Sequence, residues 1–387
     1  MTIPYGRQSI DDSDVNAVSE ILRSDWLTQG PTVTAFERAL ADYCGAGYAV
    51  SVVNATAALH IAALALGLEP GNRLWTSPNT FLASANCGRY CGADVDFVDI
   101  DPRTYCMSAD RLEEKLIAAR KVNALPTVVV TVAFAGQSAE ADRIYDLSRK
   151  YGFAIIDDAS HALGAVYKGN RVGSGHFADI TVLSFHPVKI LTTGEGGMAL
   201  TNDAKLFQRL AHFRNHGMTR DAEALEEKDA SPWYYEQHGL GFNYRLTDIQ
   251  AALGLSQFKK LEGFLARRRE LAERYDKLLA GNKIVRPWQD PAGLSAYHLY
   301  PIKVPDPSIR KAVFIGLRQA GIGVQVHYIP VCNQPYYRDL GARPDAFPEA
   351  QAYYNSAISL PMFPGLTNPE QDRVVQVLLD LVSREMH

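Results

Sequence analysis

The chain has 387 residues, 47% of them hydrophobic and 21% charged, with a net charge of −4. That length suits two domains, and the composition is that of a globular protein rather than a disordered or fibrous one. The slightly acidic balance leaves no footprint for nucleic acid, and no apolar run is long enough to span a bilayer. The start, Met1-Thr-Ile-Pro-Tyr, lacks the charge and apolar core of a secretory leader, so a cytoplasmic protein is expected. Five scattered cysteines (Cys44, Cys87, Cys91, Cys106 and Cys332) form no disulfide framework. Cys87 and Cys91 are four apart, but no further His or Cys stands near them at ligand spacing, so no metal site is expected.

Residues 11–22 and 32–43 have the periodicity of amphipathic helices, with a loop over 24–31. Residues 48–53 predict the first core strand. An alanine-rich helix over 56–66 stops at Gly67, with Pro70 beyond. Short apolar strands then alternate with helical stretches, at 73–76, 95–100, 127–133 and 153–156. Residues 180–185 and 198–201 flank a glycine-rich turn. Such alternation predicts an α/β fold with a mostly parallel sheet and helices on both faces. The segment between Gly217 and Trp233 is charged and aperiodic, which predicts a lid or a disordered loop. One long helix is expected over 247–279, a partly exposed connector because of Arg267-Arg-Arg269 and its many Glu. A smaller α+β domain follows. The expected division is a large domain over 1–250, then the connecting helix and small domain over 251–387.

Two residues carry the chemistry. Lys189 follows the apolar run that begins at Ile180 and lies five residues beyond Ser184. A lysine just outside a strand end, backed by apolar residues, is partly desolvated, which lowers its pKa and makes it a nucleophile towards carbonyls. Asp158 ends the run Phe153-Ala-Ile-Ile-Asp-Asp-Ala-Ser160, which fits a central parallel strand. The carboxyl end of such a strand is where ligands bind in open α/β sheets. Asp157 and Asp158 point to opposite faces, so only one faces a site there. An Asp in that place can hold a pyridine nitrogen protonated, as in enzymes of pyridoxal 5′-phosphate (PLP), in which a lysine carries the cofactor. A pair of helix caps would explain the two Asp as well. The segment Asn54-Ala-Thr-Ala57 lies between strand and helix, where free N–H groups and the helix dipole favour a phosphate; an ordinary Asn or Thr cap is the alternative.

The motifs Asp157-Asp-Ala-Ser-His-Ala-Leu-Gly164, Phe185-His-Pro-Val-Lys189, Thr193-Gly-Glu-Gly-Gly197 and Gly241-Phe-Asn-Tyr-Arg-Leu246 make the chain similar to a known group. It resembles the sugar-nucleotide aminotransferases of the DegT/StrS family, over nearly its whole length. The resemblance implies fold type I of the PLP-dependent transferases (aspartate aminotransferase-like), with a smaller α+β C-terminal domain. Ser24-Asp-Trp-Leu-Thr-Gln-Gly-Pro31, Pro232-Trp-Tyr-Tyr-Glu236 and Val324-Gln-Val-His-Tyr-Ile-Pro330 further resemble the members that aminate C4 of a UDP-4-keto-6-deoxy-N-acetylhexosamine on the way to pseudaminic acid.

The resemblance implies roles for individual residues. Lys189 would be catalytic and carry PLP, and Asp158 would face the ring nitrogen. Phe81 would stack on the ring and His161 would lie beside the 3-hydroxyl. Ala55, Thr56 and Ser184 would hold the phosphate, with Asn243 reaching the phosphate of the neighbouring subunit of a homodimer. Alone, Phe81 reads as core, His161 as a satisfied structural histidine and Asn243 as a turn residue. For the UDP-sugar the resemblance suggests Tyr5, Asp25, Trp26, Leu27, Thr28, Thr56, Ser184, His216, Asn243, His327 and Tyr328. The implied amino donor is L-glutamate. Related sugar dehydratases carry His where Lys189 stands, which argues against that reaction. No G-x-G-x-x-G follows the first strand, which sets aside a nicotinamide oxidoreductase.

Overall fold

The computed structural model describes residues 2–386. Two amphipathic helices open the chain, α1 (Asp12–Leu22) and α2 (Pro31–Cys44). Asp11 caps α1 through a reciprocal box with Asp14, and α2 ends at Gly45 with φ of 80°, in the left-handed region that glycine adopts freely. The alternating section follows: β1 (Tyr48–Val52), α3 (Ala55–Ala65), β2 (Arg73–Thr76), α4 (Ala83–Tyr90), β3 (Asp94–Phe97), α5 (Ala109–Lys121), β4 (Val128–Val132), α6 (Ala141–Tyr151) and β5 (Ala154–Asp158). Two short strands, β6 (Val166–Tyr167) and β7 (Asn170–Arg171), precede β8 (Ile180–Ser184) and β9 (Gly197–Thr201), and α7 (Ala204–Arg214) comes next.

Seven of these strands form one sheet in the order β1-β9-β8-β5-β4-β2-β3. All neighbours are parallel except those of β9, which runs antiparallel to both β1 and β8. The sheet is therefore mostly parallel, and β4 and β8 are apolar runs buried on both faces, as parallel strands require. Helix α3 is buried on nearly every side, which explains its alanines: small side chains let it lie close to the sheet. Strand β3 ends at Phe97, three residues before expected. Beyond it Asp99 is taken up capping the backbone N–H groups of Glu349 and Ala350.

The segment after α7, expected as a lid or a disordered loop, is tied together internally. Its ends pair as a ribbon of β10 (Met218–Thr219) and β11 (Glu236–Gln237), and the Glu236 carboxylate accepts from the N–H groups of Glu226 and Glu227. None of its residues lines the cavity around Lys189 of its own chain.

The long connecting helix is two helices, α8 (Asp248–Phe258) and α9 (Leu261–Leu278). The break has a physical cause. Buried Asp14 of α1 gathers Ser256, Gln257 and Lys260 at 2.6–2.7 Å, which pins the end of α8 to α1. Lys260 leaves the helical line (φ −102°, ψ −4°), and α9 departs to a second core. Nor is the arginine run an exposed face. Arg268 is 1% exposed and donates to the carbonyls of Tyr297, His298 and Met362, while Arg267 and Arg269 bind the carbonyls of Leu366, Ser295 and Gly164. The burial of this cation is offset in part by the three carbonyl oxygens that meet its Nη1, while Nε has no partner among the described residues.

The last part contains β12 (Gly293–Leu294), which joins β6, and the antiparallel pair β13 (Tyr300–Lys303) and β14 (Ala357–Leu360). Helices α10 (Arg310–Gln319), α11 (Pro335–Asp339), α12 (Pro348–Ser356) and α13 (Asn368–Glu385) complete it. Leu271, Tyr275, Tyr300, Ile302, Val313, Val324, Ile358 and Leu378 form its core, and Ile3 joins them. The N-terminal residues thus pack with the C-terminal core: Ile3 bridges Ile322, and the Tyr5 carbonyl accepts from Met362. Among the described residues no helix is long and apolar enough to cross a membrane.

Candidate active site

The parallel strands all deliver their carboxyl ends to one edge of the sheet. Along that edge, with walls from residues 298 and 325–328, lies a cavity of about 550 Å³. Lys189, Asp158, Ser184, His161, Phe81, Ala55 and Thr56 line it, as do Tyr5, His327 and Tyr328. These are the residues the sequence singles out, brought together from positions 5 to 328.

Lys189 sits in the turn between β8 and β9. Burial holds its amine down to about 8, and the Asp158 carboxylate opposes that by favouring the charged form. Asp158 ends β5 beside β8, its Cα paired with Val182. Ser84 donates to one carboxylate oxygen and Ser160 to the other, each at 2.6 Å. Thr80 in turn lies 2.7 Å from Ser84. A carboxylate oxygen accepts more than one hydrogen bond, so Asp158 keeps capacity for a ligand N–H. Asp157 points away from the cavity. It accepts from Thr131, and burial first, with Asp158 adding to it, raises its carboxyl to about 6.

The anion-binding corner is built from α3. Asn54 caps the helix by accepting from Ala57 at 2.8 Å, and the N–H groups of Ala55 and Thr56 have no place in the helix's own ladder. Gly197 of β9 comes so close that a Cβ there would lie 2.5 Å from the Ala55 nitrogen, so only glycine lets the strand pass this helix start. Phe81 is 58% exposed although it lines the cavity, which leaves a phenyl face open to a ligand ring.

Four histidines line the cavity: His161, His186, His298 and His327. Burial, with Lys189 adding to it, pushes His161 and His298 well below the usual imidazole value and His327 down to about 3, so these three are neutral. Sequence reasoning missed Ser84, Glu195 and His298. Ser84 is a small side chain on a helix, and His298, whose carbonyl accepts from Arg268, comes to the cavity from the distant C-terminal part of the chain. Neither carries a local signal.

Six expected residues do not line this cavity: Asp25, Trp26, Leu27, Thr28, His216 and Asn243. They share one connected region. Thr28 bridges Thr247, Asn243 bridges Asn215, and the N–H of His216 meets the carbonyl of Phe242. Asp25, Trp26, Leu27, Thr28 and Asn243 are exposed there.

The residues present fit PLP: a depressed amine, a carboxylate, an open aromatic face and a helix N-terminus with the Ser184 hydroxyl beside it. Residues 8–379 match the model of the DegT/DnrJ/EryC1/StrS aminotransferase family. The chain is 38% identical over 368 residues to UDP-4-amino-4,6-dideoxy-N-acetyl-beta-L-altrosamine transaminase from Campylobacter jejuni, covering 93% of this chain and 92% of that protein. Among solved structures, Helicobacter pylori PseC, an aminotransferase involved in the biosynthesis of pseudoaminic acid, superposes with a TM-score of 0.91 at 31% identity, covering 99% of this chain and all of that one. The PLP form of the putative sugar aminotransferase Spr1654 from Streptococcus pneumoniae gives 0.89 at 29% identity, covering 99% of each chain. The protein belongs to the DegT/DnrJ/EryC1/StrS aminotransferase family and uses PLP as its cofactor.

Proposed function

We propose that the protein transfers an amino group from L-glutamate to C4 of a UDP-4-keto-6-deoxy-N-acetylhexosamine in the cytoplasm. The product would be UDP-4-amino-4,6-dideoxy-N-acetyl-β-L-altrosamine, a precursor of pseudaminic acid. The observation that carries this reading is the sustained identity to the Campylobacter transaminase across 93% of the chain, together with a cavity that holds Lys189 and Asp158.

When bound, PLP supplies the electron sink for breaking the bond to the donor's α-hydrogen. Lys189 moves the proton, first as base and then as acid, and an amine held near 8 suits both roles near neutral pH. Asp158 keeps the ring nitrogen protonated, and the two serines fix its orientation. Ala55, Thr56 and Ser184 hold the phosphate, and Phe81 covers one ring face. Tyr5, His327 and Tyr328 contact the sugar nucleotide. In a homodimer the exposed region around Thr28, His216 and Asn243 would complete the cavity of the second copy, with Asn243 of the partner subunit on the phosphate.

The deciding experiment incubates the PLP form with glutamate and a panel of UDP- and dTDP-4-keto sugars, and identifies products by mass and NMR. Turnover of the UDP-linked N-acetyl keto sugar, in preference to the others, supports the reading. Preference for a dTDP sugar, or amination at another carbon, refutes it.

A further inference from the structure

His161 is held between two fixed partners, and together they decide which ring nitrogen carries its proton. The backbone N–H of Ala135 lies 3.3 Å from Nδ1, and the Tyr328 hydroxyl lies 3.0 Å from Nε2. An amide N–H only donates, so Nδ1 must be the acceptor. Ala135 is placed for this by a left-handed backbone, with φ of 58° at a residue other than glycine. Such a conformation is disfavoured for a residue with a Cβ and persists only where its surroundings impose it. Here they do: the Ala135 carbonyl accepts from Leu299, and the Gly136 carbonyl accepts from Ala296.

The ring is neutral, because burial and the nearby Lys189 disfavour its cation. With Nδ1 bare, the one proton of a neutral imidazole is on Nε2. Nε2–H therefore donates to the Tyr328 oxygen, and the tyrosine cannot donate back. Among the described residues the Tyr328 hydroxyl makes no other hydrogen bond. Burial raises its phenol, so the proton stays on. The ring itself is held by Phe134, at 6.2 Å between centroids, and by the bond from the Tyr328 N–H to Asn79.

We infer that Tyr328 is a dedicated hydrogen-bond donor into the Lys189 cavity, and that His161 is a positioning residue that acts through it. The acceptor is an oxygen on the bound molecule. Two sources offer one, the ring oxygen of PLP and the keto oxygen of the sugar. The sugar arm rests on the proposed function, whereas the PLP arm and the proton positions do not.

Neutron diffraction from deuterium-exchanged holoenzyme tests the proton positions directly. Deuterium is expected on His161 Nε2 and not on Nδ1; deuterium on Nδ1 overturns the inference. Affinities test the role. Tyr328→Phe should weaken, by about tenfold, either PLP binding to the apoenzyme, measured by fluorescence titration, or KM for the keto sugar, the size of one hydrogen bond. A loss in the first identifies the cofactor oxygen and a loss in the second the sugar oxygen; no change in either overturns the inference. His161→Leu should reproduce the Tyr328→Phe loss with thermal stability checked alongside. His161→Gln should recover most of it, because an amide oxygen can take the Ala135 N–H while the amide NH₂ donates to Tyr328. Equal losses in the Leu and Gln variants would show that His161 does not act through this bond.

Discussion

Asp157 and Asp158 are neighbours on one strand, yet their replacement by asparagine should have opposite consequences. The carboxyl of Asp157 is raised from 3.8 to about 6, chiefly by burial. A carboxyl whose folded pKa is raised weakens the fold as pH rises through the interval between the two values, and the loss is complete above the higher one. For this interval the loss is about 3 kcal/mol at most. Asp157 is only part-buried by surface area, so solvent screens some of it, and about 1–2 kcal/mol is the working figure. Asp157→Asn removes the charge and keeps an oxygen for Thr131. At about 2 cal/mol/K per residue, the unfolding entropy of this chain turns that gain into a rise of roughly 2 °C in Tm. Scanning calorimetry of both proteins between pH 4 and 8 should show curves that nearly coincide at pH 4, diverge between pH 4 and about 6, and stay apart above that, with the variant higher. Asp158→Asn should leave Tm nearly unchanged and reduce kcat by about two to three orders of magnitude, the size of losing a charge that faces the developing transition state. A variant of Asp157 that melts lower than the parent at pH 8, or loses as much activity as that of Asp158, would show that the orientation of β5 has been misread.

Further expectations can be checked alongside. Borohydride reduction of the holoenzyme followed by peptide mapping should label Lys189, and a label on any other lysine refutes its assignment. Because the amine must be neutral to attack, PLP capture by the apoenzyme should quicken with pH and level off above about 8; a rate flat from pH 6 to 9 contradicts the burial of Lys189. Ser84→Ala removes one donor to the Asp158 carboxylate and should lower kcat by about tenfold, less than Asp158→Asn; an unaltered kcat would mean that Ser160 alone orients the carboxylate. Lys189→Ala and Asn243→Ala, each nearly inactive, should regain up to about a quarter of parental activity once their subunits are exchanged, because one site of each mixed two-fold dimer then carries neither lesion. Exchange shown with tagged chains but without recovered activity would confine Asn243 to its own subunit.

The parts of this molecule visible in the sequence are those whose cause is local. Apolar runs of four to seven residues gave the parallel strands, and β4, β5 and β8 end at residues of the cavity, Val132, Asp158 and Ser184. The hairpin of β8 and β9 followed from its glycines. What escaped was determined at long range. The break between α8 and α9 contains neither Gly nor Pro, and is imposed by Asp14, more than two hundred positions away. The arginine run reads as solvated because arginine is mostly exposed, whereas here backbone carbonyls from three other segments draw it inside. Tyr5 enters the cavity because Gly323 lets the N-terminal strand lie against it: a Cβ there would stand 2.7 Å from the Tyr5 nitrogen. No window of sequence around Tyr5 could announce that contact.

The charge of the cavity bears on how the molecule works. Among the described residues that line it, Lys189 is the one lysine or arginine, against the carboxylates of Asp158 and Glu195. A charged histidine beside Lys189 would drive the amine pKa lower still, so burying His161, His298 and His327 in neutral form preserves an amine near 8. The same arrangement leaves little positive charge for an incoming phosphate. The dipole and free N–H groups of α3 supply part of it, an effect equivalent to about half an elementary charge. In the proposed homodimer the partner subunit would supply the remainder. The exposed region that carries Asn243 also carries Arg245, whose guanidinium donates to Asn215 at 2.7 Å. A second copy that sets this region over the cavity would bring donors and a cation to the place where the chain's own lining has least. On that argument the proposed dimer completes the electrostatics of anion binding, and salt should weaken PLP binding in the dimer more than in a variant that cannot associate.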